Sequence, residues 1–213
     1  MNFRIIPSLL CLLTLIYSCD GINSKGGNKS QSAINDSLGN LEELEKLALS
    51  SKKVTDTVLL DYRFGMTKEQ VLNHTKKLYR EGKLKKDYSG KYYFEITGIT
   101  KDIYKGFLFA DYFDKKLFSI GLTFSDEASN IMVFSTLSDL YKQKYGEADM
   151  MDKPFSDMDL YERYWLRNNL KIRLTTGMPE ASVRYIDLRY EKQKEHADSI
   201  EKANSEQKVK SNL

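Results

Sequence analysis

The chain of 213 residues is poor in the side chains that most often carry catalysis or bind metals. It has two cysteines, Cys11 and Cys19, and both lie within the first twenty residues. A domain that follows them has no internal disulfide and no thiol nucleophile. With two histidines, His74 and His196, the chain also lacks the His and Cys ligands that most zinc sites need. The sequence therefore predicts no metal site and no cofactor.

Catalytic motifs are equally scarce. A Ser–His–Asp or Cys–His arrangement would have to use His74, which lies in the middle of a predicted helix and is typical of an ordinary helix-surface residue. Gly26-Gly27 precedes no strand–helix unit and is therefore no phosphate-binding loop. A hydrolase with paired carboxylates stays open as an alternative, because acidic residues are plentiful near predicted turns: Asp111, Asp114, Asp157, Asp159 and Glu162. The sequence favours a protein that is not an enzyme.

The chain also lacks an excess of charge of one sign. It has 33 Lys and Arg against 30 Asp and Glu, which leaves a net charge of +3 at pH 7. Nucleic-acid-binding proteins usually carry a clear basic excess, so this balance argues against a nucleic-acid partner. Hydrophobic residues make up 41% of the chain, which is ordinary for a globular protein and low for a multispanning membrane protein.

An apolar run follows a single positive charge at the N-terminus. Arg4 precedes Ile5 to Tyr17, a run that is shorter than the about 20 residues of a transmembrane helix. The run ends in Leu15-Ile16-Tyr17-Ser18-Cys19. This order of charge, apolar core, small residue and cysteine resembles the signal of bacterial lipoproteins.

The resemblance implies that residues 1–18 are a signal peptide and that Cys19 becomes the N-terminus. In this family the cysteine thiol carries diacylglycerol, and the new amine is often acylated as well, for example with palmitate. Two or more chains anchor a protein stably, since each buried methylene contributes about 0.8 kcal/mol. We therefore expect a lipid anchor on Cys19 in the cell envelope, in the outer membrane rather than the inner one.

Beyond Cys19 the chain divides into three regions. Residues 19–56 are predicted to be a flexible tether, because Gly, Ser and Asn dominate its first half; a short helix from Asn40 to Leu49, with Leu44 and Leu47 on one face, follows. Residues 57–191 carry the apolar periodicity of a folded domain. Residues 192–213 are predicted to be a polar tail, either a frayed helix or disordered.

Alternating helix and strand patterns predict an α+β domain. The first helix has a capping box formed by Thr67 and Gln70, and Gly82 ends it; the second helix spans 131–145. Segment 58–64 suits a strand or an extended lead-in. Strands are predicted at 91–97, 105–113, 117–124, 160–167, 170–174 and 182–190. The simplest arrangement is an antiparallel sheet with the two main helices on one face, in a twofold pattern of one helix and three strands.

A second resemblance lies at the start of the first helix. Phe64-Gly65-Met66-Thr67-Lys68-Glu69-Gln70-Val71 resembles the Gly-Met-Thr/Ser-x-x-Glu/Gln-Val opening of small bacterial envelope lipoproteins. That group shares a fold with the β-lactamase inhibitor proteins. The resemblance implies protein binding in the envelope without catalysis.

A candidate binding face lies on strand 160–167. Arg163, Trp165 and Arg167 alternate and therefore share one side of the sheet, and Arg and Trp are typical of protein interfaces. We expect this side to face solvent, because two arginines are harder to bury than one Leu and one Tyr are to expose. The leading hypothesis is a protein partner. The alternative is a small ligand or glycan bound by aromatic side chains such as Tyr92, Tyr93, Tyr104, Tyr112 and Trp165.

Overall fold

The computed structural model describes residues 37–98, 101–124, 130–155, 160–177 and 180–211. The chain divides into two units, residues 1–35 and 36–213, and all described residues belong to the second. Cys19 and the predicted signal peptide lie outside the described residues, as do Asp157 and Asp159. The hydrophobic core is built from residues 62–185 of the second unit, which therefore has a core of its own.

Four α-helices and eight strands make up the described part of the chain. The helices are α1 (Ser37–Leu49), α2 (Lys68–Arg80), α3 (Asn130–Tyr145) and α4 (Leu188–Ser211), with a 3₁₀ turn at Leu59–Asp61 before α2. The strands are β1 (Lys85–Lys86), β2 (Tyr92–Thr97), β3 (Ile103–Phe113), β4 (Lys116–Phe124), β5 (Met150–Phe155), β6 (Leu160–Arg167), β7 (Leu170–Thr176) and β8 (Ala181–Asp187). The predicted α+β class is confirmed.

All eight strands belong to one antiparallel sheet with the order β1-β2-β3-β4-β8-β7-β6-β5. The chain therefore runs twice through the same sequence of elements: α2 precedes β1 to β4, and α3 precedes β5 to β8. The last strands of the two halves, β4 and β8, pair at the centre of the sheet. Each half has four strands rather than the three predicted, because β1 and β5 were not recognisable from their sequence patterns.

One face of the sheet is covered by α2 and α3. A cross-strand row on this face runs through Ala110, Ile120, Tyr185, Ile172 and Trp165. The main core cluster combines this row with apolar side chains from both helices, among them Val71, Leu78, Val133, Phe134 and Leu137. The expected placement of the two main helices on one face is confirmed.

The start of α2 follows the predicted capping box. Thr67 Oγ1 accepts a hydrogen bond from the Gln70 backbone N–H at 3.3 Å, and Gln70 Oε1 accepts one from the Thr67 N–H at 2.8 Å. Both donors would otherwise lack a partner within the helix. The helix ends before Gly82, whose φ of +72° suits glycine. Tyr62 fixes the middle of α2 through a hydrogen bond of 2.6 Å between its hydroxyl and that of Thr75.

The opposite face is covered in part by α1 and by the first turns of α4. Lys171 of β7 shares this face with its register partners Leu166 and Ile186. Its ammonium lies 2.9 Å from the Glu45 carboxylate of α1, which places α1 over this side of the sheet. α1 also contacts β5 and β6, and α4 contacts β8. Part of this opposite face, which we call the outer face, is therefore buried as well.

Two local predictions differ from the structure. Segment 58–64 is no strand: Leu60 and Asp61 have φ of 52° and 63°, and the chain makes a tight 3₁₀ turn closed by a bridge between Thr57 and Arg63. The polar residues after 191 continue α4 to Ser211. A helix is one of the two alternatives predicted for this tail, but it begins at Leu188, so the strand predicted at 182–190 ends at Asp187.

The expectation that Trp165 faces solvent is wrong. Its side chain is fully buried on the same face as α2 and α3. Its ring packs 5.4 Å from that of Tyr141 in α3, and its Nε1–H donates to the Gly146 carbonyl at 3.0 Å. A buried indole needs both an apolar enclosure and a hydrogen-bond acceptor, and the C-terminal end of α3 supplies the two together.

Candidate binding face

The predicted face on β6 does not form an exposed surface. Arg163 and Arg167 lie on the helix-covered side with Trp165 and are only half-buried. The Arg163 guanidinium lies 5.4 Å from the centre of the Phe134 ring. Arg167 donates to the Tyr145 carbonyl at 2.7 Å and to Asp149 at 2.6 Å. Both arginines thus reach the rim of the core, where their charged groups are stacked or paired.

Four of the five aromatic residues of the alternative hypothesis belong to the core or pack against it. Tyr104 is buried in the core with Trp165, and Tyr92 and Tyr112 pack against the same core. Tyr93 points to the opposite side of the sheet from Tyr92, as alternation requires. These five side chains therefore line no common site.

Among the residues considered for catalysis, His74 and Asp111 have structural partners and Asp114 lies in a turn. His74 Nε2 lies 2.8 Å from the Leu60 carbonyl, and its ring packs edge-on to Tyr62 at 4.6 Å. Asp111 is paired with Arg184 at 3.0 Å. Asp114 lies in the two-residue turn between β3 and β4 with a φ of 45°. No cluster of three or more His, Cys, Asp or Glu side chains suited to a metal ion occurs among the residues that the structure describes.

The half of the outer face that α1 and α4 leave uncovered carries aromatic and arginine side chains. We call it the open patch and define it as Tyr93, Phe107, Phe109, Arg173 and Arg184, all of them half-buried. Strand register arranges it in two rows. One runs from Tyr93 through Phe107, and the other from Phe109 across Gly121 to Arg184 and Arg173. The three aromatic rings are not part of the core cluster or of its surroundings.

Gly121 determines the shape of the second row. A Cβ at this position would lie 2.5 Å from the Phe109 ring and 2.2 Å from the Val183 carbonyl oxygen, so no other residue fits without a shift. The absence of a side chain lets Phe109 lie flat across the sheet, where the Arg184 guanidinium stacks 4.8 Å from the ring centre. Arg184 is held there by its ion pair with Asp111. The patch is therefore preorganised.

Polar interactions order the remaining part of the open patch. Arg173 forms an ion pair with Glu162, which also accepts a hydrogen bond from the Tyr164 hydroxyl. Burial lowers the pKa of Arg173, but the hydrogen bond with Glu162 and the nearby negative charges together outweigh this effect and raise the pKa above its usual value. At the centre, Thr175 and Ser182 share a hydrogen bond of 2.8 Å. Tyr93 and Phe107 pack at 5.8 Å, and the Lys105 ammonium lies 5.8 Å from the Tyr93 ring.

The open patch ends where α1 begins. The next row of the outer face includes Ser119, Ile186, Lys171 and Leu166, which are all buried. Lys171 contacts Glu45 at 2.9 Å and Glu191 at 2.5 Å, and Lys192 of α4 contacts Glu45 at 2.8 Å. We call Glu45, Lys171, Glu191 and Lys192 the charge cluster. Their ion pairs connect α1 to the sheet and to α4.

Sequence reasoning missed the open patch because β3 is aromatic on both faces. Between Tyr104 and Phe113 aromatic residues occupy positions of both parities, so alternation does not indicate which of them point to the core. The sequence of β4 does indicate which side of the sheet faces the core, because Gly121 and Thr123 alternate with the apolar Ile120, Leu122 and Phe124. Strand pairing then assigns Phe107 and Phe109 to the side of Thr123 and Gly121.

Compared with models of protein families, with curated proteins and with solved structures, the chain matches none. Among the described residues, no helix has the length and apolar character needed to span a bilayer. The function must therefore be inferred from the surface of the folded unit and from the N-terminal sequence.

Proposed function

We propose that this chain is a lipid-anchored, non-enzymatic protein of the bacterial cell envelope that binds a protein partner through the open patch. The observation that carries the proposal is the grouping of three half-buried aromatic rings and two arginines, outside the core cluster, on neighbouring strands of the outer face. Aromatic residues and arginine are enriched at protein interfaces and dominate their binding energy.

A flat sheet surface suits a protein better than a small ligand. Small-molecule sites are concave and enclose most of their ligand, whereas the open patch consists of side chains in rows across neighbouring strands. One pocket on the described surface is lined by α4 alone, at Ala197, Ile200, Glu201, Asn204 and Ser205. It contains no aromatic side chain. This pocket therefore does not support glycan binding by aromatic side chains.

The anchor rests on the N-terminal pattern. The resemblance to the bacterial lipoprotein signal assigns the lipid to Cys19 and implies that residues 1–18 are cleaved off. The resemblance of 64–71 to small envelope lipoproteins supports the same location. A lipid-anchored protein would bind its partner at the surface of the membrane in which the lipid is inserted.

Affinity capture from membranes tests the binding role. We expect the tagged full chain to retain a defined partner, and Arg184→Ala or Phe107→Ala to weaken retention at least tenfold. Lys142→Ala serves as the matched control, since this exposed residue belongs to α3 on the other side of the sheet. Thermal unfolding of each variant separates loss of binding from loss of fold. Equal capture by all four proteins would contradict the role of the open patch.

The anchor is tested separately. Cys19→Ala should abolish incorporation of labelled fatty acid and leave the protein either as an unprocessed precursor or released from the membrane fraction. A Cys11→Ala variant controls for loss of a thiol in the same region. Labelling of Cys19→Ala at the level of the unaltered chain would show that the cysteine is no lipidation site.

A further inference from the structure

One edge of the sheet carries a strongly basic segment, although the charges of the whole chain are nearly balanced. Residues 76–91 contain seven basic and two acidic residues, a net charge of +5, although the whole chain has only +3. This segment covers the last turn of α2, the loop that follows it, the edge strand β1 and the turn into β2. We call it the basic edge; its cationic residues are Lys76, Lys77, Arg80, Lys83, Lys85, Lys86 and Lys91.

All seven cationic side chains of the basic edge are exposed. Lys85 pairs with Glu95 at 2.6 Å, and Glu81 lies between Lys77 and Lys83 at 3.7 and 3.0 Å. Within the described part of the chain no ion pair involves Lys76, Arg80 or Lys91. Most of the positive charge therefore faces solvent without local compensation.

Exposed tyrosines accompany this charge. Tyr88 is fully exposed, at 104% of its reference area, on the turn between β1 and β2. The turn is ordered by Asp87, whose carboxylate accepts hydrogen bonds from the backbone N–H groups of Ser89 and Lys91 at 2.9 and 2.8 Å. Tyr79, 45% exposed, packs 5.8 Å from Tyr92, and the Lys86 ammonium lies 5.3 and 4.6 Å from the two rings.

Helix stability accounts for only a small part of the basic edge. Lys77 and Arg80 lie in the last turn of α2, where cations interact favourably with the helix dipole. Lys83, Lys85 and Lys91 lie beyond the helix, and a ring as exposed as that of Tyr88 contributes nothing to the core. The combination points to an external anionic surface.

We propose that the basic edge docks the folded unit onto a lipid bilayer that carries anionic headgroups. Basic side chains close to such a surface are attracted to its negative potential, and tyrosine rings settle at the level of the headgroups. The electrostatic contribution is additive over dispersed charges and needs no pocket.

The residue types favour a bilayer over a specific anionic macromolecule. Six of the seven cations are lysines, which act as point charges, whereas planar arginine is preferred where individual phosphates or carboxylates are recognised. The cations lie on and beside β1, a strand of two residues at the edge of the sheet. Such an edge can contact a planar surface but does not enclose a ligand.

The inference is independent of the open patch and does not require the lipid on Cys19. A lipid anchor, as proposed above, would hold the basic edge near a bilayer. Docking would then orient the domain on the membrane instead of leaving it free on its tether. Because charge drives the contact, it can be measured on a protein without leader or lipid.

Vesicle sedimentation tests the proposal. The protein used is the chain from residue 19 onward with Cys19→Ser, which retains the whole unit from Asp36 and its core. We expect it to bind vesicles of phosphatidylglycerol and phosphatidylcholine at least tenfold better than vesicles of phosphatidylcholine alone. Binding should be lost in 1 M salt, where the screening length is about 3 Å.

Charge variants localise the effect. Lys76→Gln, Arg80→Gln and Lys91→Gln combined should lower partitioning about 100-fold, since each charge accounts for about a factor of five. The matched control combines Lys46→Gln, Lys142→Gln and Lys202→Gln, which removes the same charge from exposed positions elsewhere. Circular dichroism confirms that each variant is folded. Tyr88→Trp should give a fluorescence blue shift on anionic vesicles, against the constant background of Trp165.

Three results would overturn the proposal. Equal binding to anionic and neutral vesicles would remove its electrostatic basis. An equal loss in both triple variants would assign the effect to net charge rather than to the basic edge. Binding to a duplex RNA or an acidic polypeptide without binding to anionic vesicles would assign the edge to a different partner. None of these results would bear on Cys19 or on the open patch.

Discussion

Trp165 is enclosed between the sheet and α3 although the residues two places before and after it on β6 are arginines. The arginines remain on the same side because each has a flexible stem that carries its charge to the rim of the core. The other side of β6 holds Tyr164 and Leu166, which are buried as well, since that side of the strand lies under the α1 half of the outer face. A strand covered on both faces shows no alternation that could indicate its orientation.

Truncation of Trp165 measures this burial. Trp165→Ala should lower the free energy of unfolding by about 3–5 kcal/mol, because it removes a fully buried side chain and leaves a cavity. Trp165→Phe keeps most of the packing but loses the donor to the Gly146 carbonyl, and should cost less. Urea denaturation at pH 7 gives both values. A change under about 1 kcal/mol in the Ala variant would show that the indole is not in the core.

At the scale of single elements, α2 begins through hydrogen bonds that are local in sequence. Thr67→Ala removes the acceptor for the Gln70 N–H and should lower the free energy of unfolding by about 0.5–2 kcal/mol. Thr67→Ser keeps the hydroxyl and serves as the control, with little change expected. Denaturation midpoints compare the three proteins. If Thr67→Ala matched the unaltered chain, the capping interaction would contribute no stability.

α1 is held in the opposite way, by a buried charge. Glu45 is only 4% exposed and lies beside the half-buried Leu41, Leu44 and Ala48, so the docking face includes most of the predicted apolar face but not Leu47, which is 70% exposed. Glu45→Gln should lower the free energy of unfolding by about 1–3 kcal/mol, because Lys171 and Lys192 lose a charged acceptor. Glu42→Gln is the matched control, since Glu42 forms an exposed pair with Lys46 in the same helix.

The contribution of Glu45 should depend on pH. Burial raises the pKa of Glu45, but the hydrogen bonds and the positive charges of Lys192 and Lys171 together outweigh this effect and hold the pKa below the ordinary value of 4.5. A carboxyl group whose pKa is lower in the folded state stabilises fully above its unfolded pKa, and this stability is lost as pH falls through the folded pKa. The difference between the unaltered chain and Glu45→Gln should therefore be constant near neutral pH and shrink below about pH 4.5. A difference that grew in acid would contradict the lowered pKa.

At the scale of the whole molecule, the predictable features are those that short segments specify. The capping box at Thr67 and the end of α2 before Gly82 follow from neighbouring residues, and both occur as predicted. The docking of α1 depends on Lys171, which lies more than a hundred residues away in sequence. The open patch likewise depends on which elements are left uncovered, and no local pattern reports this, whereas the charge of the basic edge is visible in residues 76–91 of the sequence.

The central pairing of β4 with β8 makes the two halves a single folding unit. Ile120 and Leu122 of the first half pair with Tyr185 and Val183 of the second, and all four belong to one core cluster. Neither half can bury its last strand alone, so we expect one cooperative transition. Fluorescence of Trp165 reports on the second half, and far-UV circular dichroism reports on the whole chain. In urea the two signals should change with the same midpoint, as a two-state transition requires. If the Trp165 signal changed well before or after the dichroism, the halves would unfold separately and the β4–β8 contact would be a weak interface between two domains.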